Sequence, residues 1–400
     1  MNNTYKAVKV TEGVWWVGAI DWNIREFHGY RTNRGSTYNA YLIMADKITL
    51  IDTVKAPFQE EMLSRIASVV DPAKIDYIVS NHSEMDHSGC LTETIAAVRP
   101  EKVFASAAGV MTLQGLLHCG GALTAVKDGE QLSLGNRTLT FLETRMVHWP
   151  DSMFSYLNEE ALLFSQDGFG MHYASLERFD DEIDPAILEY EAATYYANIL
   201  LPYSPLVLKL LERVKELRLA FRIIAPDHGP IWRKDVGGIL GRYGKWAAQK
   251  PEGKAVVVYG TMWHSTEKMA RAISEGLAAG GLRVTLLSVD KVHRSDVLCE
   301  VLCAGAIAVG SSTLNNQMLP AMADVMTYLR GLKPRHLVGA AFGSYGWSGE
   351  AVKQLEEILA EMKVESAGAG IRVKHAPDHE VLSRCYDLGM RMAEMVKGRL

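Results

Sequence analysis

Apolar residues in this chain follow two rhythms. Over residues 1–250 short apolar runs mix with stretches of helical spacing, whereas beyond residue 250 the alternation is regular. Apolar runs at 40–44 and 48–52 bracket Ala45-Asp46-Lys47, which predicts a hairpin. Phe58, Met62, Leu63, Ile66, Val69 and Val70 recur at three-and-four spacing, which predicts a helix. Strand-like runs follow at 76–80, 102–105, 138–142, 161–164 and 221–225. Hairpins mixed with crossover helices predict a mixed sheet covered by helices. The stretch Lys250-Pro251-Glu252-Gly253-Lys254 predicts a boundary, giving domains 1–250 and 251–400. In the second, strands at 255–259, 283–288, 306–310, 337–342 and 370–373 alternate with helices near 267–279, 294–302, 319–331, 349–362 and 380–398. A strand followed by a helix, repeated five times, predicts a doubly wound parallel sheet. No internal repeat links the two halves, which read as different folds.

Composition narrows the class. The 400 residues exceed one comfortable core. With 48% hydrophobic and 22% charged residues, the chain is not a disordered one. A net charge of −5 leaves no basic footprint for nucleic acid. Two stretches lack charge, 107–126 and 301–323. The first carries Gln114, His118 and several glycines, and the second Ser311, Ser312, Asn315, Asn316 and Pro320, so neither reads as a membrane span. The opening residues have no apolar segment with a cleavage site, so secretion is not expected. Five cysteines without a C-x-x-C pair exclude a zinc ribbon, a fused rubredoxin module and a disulfide framework, and fit a reducing cytoplasm.

The densest chemistry is His82-Ser83-Glu84-Met85-Asp86-His87, directly after the strand at 76–80. His148 follows the run at 138–142, Asp167 the run at 161–164, and His228 the run at 221–225. Each candidate stands at the exit of an apolar strand, where open α/β sheets build their sites. Any one of them alone would read as an ordinary buried or surface polar residue. Together, four imidazoles and three carboxylates exceed what one tetrahedral zinc can use. Two metals sharing a bridging carboxylate would use all seven. Nitrogen and oxygen donors without thiolate suit non-haem iron, manganese or zinc.

A second site is expected in the other half. Its first strand runs into Thr261-Met262-Trp263-His264-Ser265-Thr266 at a helix start, a hydroxyl-rich turn suited to a phosphate. No G-x-x-x-x-G-K-[ST] and no G-x-G-x-x-G accompanies it, which disfavours a nucleoside triphosphate or a dinucleotide. Ser312-Thr313-Leu314-Asn315-Asn316 follows the third strand and Ser344-Tyr345-Gly346-Trp347-Ser348-Gly349 the fourth. All three loops leave strands on the same edge, and Tyr345 and Trp347 offer flat faces for an isoalloxazine ring.

The motif H-x-[HE]-x-D-H with a distant His, Asp and His resembles the metallo-β-lactamase fold. Glu84 at its third position, where hydrolases of that fold usually carry His, is similar to the flavodiiron proteins. The strings Gly18-Ala19-Ile20-Asp21-Trp22-Asn23, Thr37-Tyr38-Asn39-Ala40-Tyr41-Leu42 and His148-Trp149-Pro150-Asp151-Ser152-Met153 resemble the same family. The second half resembles flavodoxin, with FMN bound by the three loops. The resemblance implies an N-terminal metallo-β-lactamase-like αββα sandwich followed by a C-terminal flavodoxin-like domain. It implies one iron on His82, Glu84 and His148, a second on Asp86, His87 and His228, and Asp167 bridging. His28 and Tyr196 would stand beside the open face of the pair, each either as a proton donor or in a structural hydrogen bond. His118, His172, His293, His336, His375 and His379 show no partner pattern and read as ordinary.

A flavin joined to a redox-capable metal pair implies electron delivery to a small oxidant. By resemblance, the chain would reduce O₂ to water, NO to N₂O, or both. Electrons would come from a separate rubredoxin-like carrier or from reduced deazaflavin. The implied assembly is a head-to-tail homodimer or a dimer of dimers, with no nucleic acid or membrane partner. Two rivals remain at this stage: a dizinc hydrolase with a regulatory flavodoxin domain, and an electron-transfer flavoprotein with a structural metal site.

Overall fold

The computed structural model describes residues 4–117 and 123–400, so His118 and Cys119 lie outside the described residues. The chain forms two compact units. The first comprises Met1–His28, Thr32–Tyr195 and Pro205–Gly244, and the second Gly29–Arg31, Tyr196–Ser204 and Lys245–Leu400. No helix among the described residues is long and apolar enough to cross a membrane.

The first unit stacks two mixed sheets. One has seven strands in the spatial order Val8–Thr11, Val14–Trp16, Tyr41–Ile43, Thr49–Ile51, Tyr77–Val79, Lys102–Ser106 and Leu123–Val126. The other has five, Gln131–Ser133, Thr138–Glu143, Met153–Leu157, Leu162–Phe164 and Ile223–Ala225. Side chains alternate across a strand, and that period of two divides the core. Tyr41, Ile43, Ile51, Val79 and Phe104 join Leu139, Phe141, Leu157 and Phe164 in one cluster between the sheets. Their neighbours Leu42, Leu50, Ile78, Val103 and Ala105 instead pack on Met62, Leu63 and Ile66 of the helix Gln59–Ala67 and on Leu91 and Val98 of the helix Leu91–Val98. Outside the second sheet, the Tyr243 ring of the helix Val236–Ala248 lies 4.4 Å from that of Phe169. The result is an αββα sandwich. The expected hairpin is present as Tyr41–Ile43 paired antiparallel with Thr49–Ile51.

The helix Pro185–Tyr195 buries Glu191, whose Oε1 accepts from Arg34 Nε at 3.1 Å. Burial, only partly offset by Arg34, pushes its pKa from 4.5 up to about 7. A carboxyl raised in this way contributes most below its unfolded pKa, and that contribution is lost as pH rises through 7. Glu191→Gln should therefore stabilise the protein at pH 8 by on the order of 1–3 kcal/mol and change little near pH 4.5. Thermal unfolding at the two pH values checks this, and an equal gain at both would contradict it.

The second unit is a parallel sheet in the order Arg283–Ser288, Glu252–Gly260, Ala304–Ser311 and Val338–Tyr345. The strand Ile371–Lys374 then pairs with Val338–Tyr345 on the far side. Five helices, Ser265–Ala279, Arg294–Val301, Pro320–Leu332, Glu350–Glu361 and His379–Lys397, alternate with the strands. Strands buried on both faces read as continuous apolar runs, which is why this half was legible. The helices Ser265–Ala279 and His379–Lys397 cross closely at glycine: a Cβ on Gly389 would lie 2.3 Å from the Ile273 carbonyl oxygen.

Candidate metal centre and flavin cavity

In the first unit the seven candidate ligands come together from four strand exits. Glu84 precedes and Asp86 and His87 lie on a single helical turn, Met85–Ser88, which follows the strand Tyr77–Val79 after a short loop that carries His82. His148, Asp167 and His228 follow Thr138–Glu143, Leu162–Phe164 and Ile223–Ala225. These three strands run in the same direction, so their ends deliver all three side chains to one edge.

Asp167 lies between two sets of donors. On one side its Oδ2 is 2.7 Å from His148 Nε2, which is itself 3.1 Å from Glu84 Oε2. His82 Nε2 lies 3.6 Å from Asp167 Oδ1 and 3.9 Å from Glu84 Oε2. On the other side Asp167 Oδ1 is 3.5 Å from both His87 Nε2 and His228 Nε2. Those two nitrogens are each 3.2 Å from Asp86 Oδ2. Glu84 and His148 thus gather with Asp167, and Asp86 with His87 and His228, while His82 lies closest to His87, Asp167 and Asp227.

The donor chemistry fits cations. His228 Nδ1 donates to the Thr37 carbonyl at 2.6 Å, so in the neutral ring its Nε2 is bare. That bare nitrogen faces His87 Nε2 at 3.1 Å, a separation that calls for a proton or a metal between them. Asp86 Oδ1 is buried with no hydrogen-bond partner among the described residues, and Asp86 Oδ2, Glu84 Oε2, Asp167 Oδ1 and His82 Nε2 are buried and meet their neighbours only as ion pairs without hydrogen-bond geometry. Orphaned buried donors and acceptors on this scale are costly unless something binds them. In the metal-free chain, burial draws the His82 and His148 imidazoles down, but Asp167 and Glu84 outweigh it and push them up to about 9 and about 10. Burial likewise raises Asp86 and Asp167, yet facing imidazoles hold both well below the usual carboxylate range.

His28 meets this cluster: its Nε2 is 2.7 Å from Glu84 Oε1, the oxygen opposite the one shared with His148. A cavity of about 420 Å³ opens on Glu84 and Asp86 and is walled mainly by Phe27, Ala56, Pro57, Met85 and Trp149, with His28 and Lys55 at its side. Tyr196 is placed differently from expectation. Its hydroxyl pairs with Ser204 Oγ at 3.0 Å and its ring packs 5.5 Å from Trp246. It is the preceding Tyr195 whose ring lies 6.1 Å from His228 and 5.1 Å from His172. Adjacent residues on a helix point about 100° apart, and the helix ends at Tyr195 before a π-helical turn, Tyr196–Leu200, so the two rings have different surroundings. His172, read as ordinary, is buried with its Nδ1 2.7 Å from Ser36 Oγ and its ring 4.6 Å from that of His228. Burial and the His228 charge hold it well below its usual pKa, hence neutral. No spacing in the sequence marks Tyr195 or His172, because their contacts with the cluster arise only where distant segments meet.

In the second unit, a cavity of about 570 Å³ lies at the strand ends. Its walls are Met262, Trp263 and Ser265, then Ser312, Thr313, Leu314 and Asn315, and then Ser344, Tyr345, Gly346 and Trp347. His375 and Ala376, beyond the fifth strand, also line it and were missed. The other expected residues do not line it. Thr266 Oγ1 bonds Ser312 Oγ and Ser344 Oγ, both at 3.0 Å, and so ties the three loops together. Thr261 Oγ1 is buried without a partner among the described residues, a donor suited to a phosphate. His264 sits at φ 62° with Nδ1 2.7 Å from Glu267 Oε2. Asn315 and Asn316, both at positive φ, form the two-residue turn of a small hairpin. Asn316 Oδ1 then accepts from Ser348 Oγ at 3.3 Å. Gly349 makes room for Tyr345, whose ring a Cβ there would meet at 2.9 Å. Trp263 and Trp347 are 84% and 88% exposed, leaving broad aromatic faces at the rim.

Known proteins share both halves. The model of the ODP family beta lactamase matches residues 37–229, and the flavodoxin model matches residues 257–389. Nitric oxide reductase of Moorella thermoacetica is 47% identical over 393 residues, covering 97% of this chain and 98% of that one. The structure of rubredoxin oxygen:oxidoreductase from Desulfovibrio gigas is 44% identical with a TM-score of 0.97, over 98% of this chain and 99% of that one. The chain belongs to the flavodiiron protein family. The flavodiiron protein of Giardia intestinalis, at 35% identity, superimposes with a TM-score of 0.95 over 98% of this chain and 97% of that one. As a flavodiiron protein the chain is an oxidoreductase with a metallo-β-lactamase-like first domain and a flavodoxin-like second. The hydrolase reading is thereby set aside.

Proposed function

We propose that this flavodiiron protein reduces O₂, NO or both, drawing electrons from a rubredoxin-like carrier or reduced deazaflavin. The observation that carries the reading is a buried cluster of three carboxylates and four imidazoles in the same chain as a flavin-sized cavity. Its relatives are named for nitric oxide and for oxygen with rubredoxin. Bound FMN would take up electrons and release them singly, and a bound iron pair with open positions would accept the diatomic gas.

The chain's own residues would then do the following. Asp167, set between the two donor groups, supplies one carboxylate to both. Glu84 keeps one oxygen on the cluster while the other is held by His28, which can pass a proton at the cavity wall. The apolar walls around Phe27, Met85 and Trp149 keep bulk water from the gas. In the second unit, Ser265 at its helix start and the Thr261 hydroxyl hold the phosphate, and Tyr345 and Trp347 flank the ring. The working assembly is a head-to-tail homodimer in which each FMN serves the partner's metal pair, in the cytoplasm.

The reading is tested by anaerobic steady-state turnover of iron-loaded, FMN-replete protein with one reduced rubredoxin and either gas. Oxidation of the carrier matched by loss of O₂ or formation of N₂O is expected. No turnover with either gas, alongside cleavage of a thioester, phosphodiester or β-lactam by zinc-loaded protein, would overturn it.

A further inference from the structure

The cluster has an unassigned carboxylate behind it. Asp227 is fully buried immediately before His228, and its main chain is clamped on both sides: its N–H donates to the Gln166 carbonyl at 2.8 Å, and its carbonyl accepts from Asn39 N–H at 2.7 Å. Its Oδ2 lies 3.6 Å from His82 Nδ1 and 3.6 Å from His87 Nδ1. The two rings are 5.0 Å apart and inclined by only 33°, so one oxygen faces the rear nitrogens of both. Neither Nδ1 and neither oxygen of Asp227 has a hydrogen-bond partner among the described residues.

Other groups are accounted for. Asp52, the other buried carboxylate nearby, is occupied by Asn81: its Oδ1 accepts from the Asn81 N–H and its Oδ2 from Nδ2, each at 2.7 Å. Asp86 and Asp167 face the Nε2 side of these rings. His228 needs no carboxylate, because its Nδ1 donates to the Thr37 carbonyl. A histidine that binds metal through one nitrogen generally gives the other N–H to a carboxylate or carbonyl, which fixes tautomer and ring orientation.

We infer that Asp227 is a positioning residue shared by the two metals, accepting from Nδ1 of both His82 and His87 so that each Nε2 is turned to its own ion. The inference rests on the metal-centre reading above, in which His82 and His87 belong to different ions. It makes the two sites interdependent, since loss of one carboxylate loosens a ligand of each.

Zinc alone is a sufficient probe. Asp227→Asn keeps the size of the side chain but removes the charge that two N–H groups share. Loaded with zinc and challenged with a chelator, the variant should release both ions about ten- to a hundredfold faster than wild type, with FMN still bound. A purely structural Asp227 would lower the melting temperature of the metal-free form and leave both release rates unchanged, which would overturn the inference. Acceleration of one ion only would overturn the shared role. Should the variant not fold, ¹⁵N shifts of the histidines in dizinc wild-type protein decide: Nδ1 protonated in both His82 and His87 is expected, and a metal-bound or bare Nδ1 in either overturns it. A wild-type chain that takes up fewer than two zinc ions would instead remove the metal-centre reading itself.

Discussion

Asp167→Asn is expected to empty the metal centre while leaving the flavin in place. Asp167 is the group closest to both donor sets, 2.7 Å from His148 on one side and 3.5 Å from His87 and His228 on the other. The amide preserves its volume but withdraws a negative charge that faces both ions, and an uncompensated change in a buried cluster of charges is severe. Iron per chain should fall by about tenfold or more, turnover with either gas should vanish, and released-flavin fluorescence should match wild type. Wild-type iron content in the variant would show that Asp167 does not bridge.

Ser265→Trp is expected to do the reverse. Ser265 lines the flavin cavity at the first turn of Ser265–Ala279, where main-chain N–H groups and the helix dipole favour a phosphate. An indole there fills the phosphate end of the cavity, so FMN affinity should fall at least about a hundredfold, with iron retained and carrier-driven turnover lost. Retained FMN at wild-type affinity would place the phosphate elsewhere. The two variants also report on assembly. Mixed and allowed to exchange subunits, they should recover about a quarter of wild-type activity if each flavin serves the partner's metals, since half the dimers are mixed and each has one intact pair. Confirmed mixed dimers without turnover would contradict the head-to-tail arrangement.

The candidate metal site was legible where its chemistry is local. His82, Glu84, Asp86 and His87 fall within six residues, and each of the other candidates follows an apolar run, so one strand-exit rule singled out the seven that the fold brings together. The second half was equally plain, because strands such as Ala304–Ser311 are buried along their whole length and separated by helices of clear amphipathic spacing. The first unit hid more. Val14–Trp16 and Gln131–Ser133 are three residues long, too short to show a period, and Met153–Leu157 is buried at every position and so shows no alternation. Asp227, His172 and Tyr195 were missed for a different reason. Each lies against a ring contributed by another segment, and nothing in its own neighbourhood distinguishes it. His375 escaped because it follows the fifth strand, whose loop carries no glycine or hydroxyl run like those of Gly343-Ser344 or Ser311-Ser312.

In the proposed reaction, electrons pass from flavin to a metal pair at which a diatomic gas is reduced. The most direct test compares iron-loaded and zinc-loaded protein, both FMN-replete and photoreduced without oxygen, on rapid mixing with O₂ or NO. Flavin reoxidation should be at least about a hundredfold faster in the iron form with at least one of the gases, because zinc cannot change oxidation state. Equal reoxidation rates in the two forms would mean that the flavin reacts with the gas directly, and the metal pair would then have no part in the reaction.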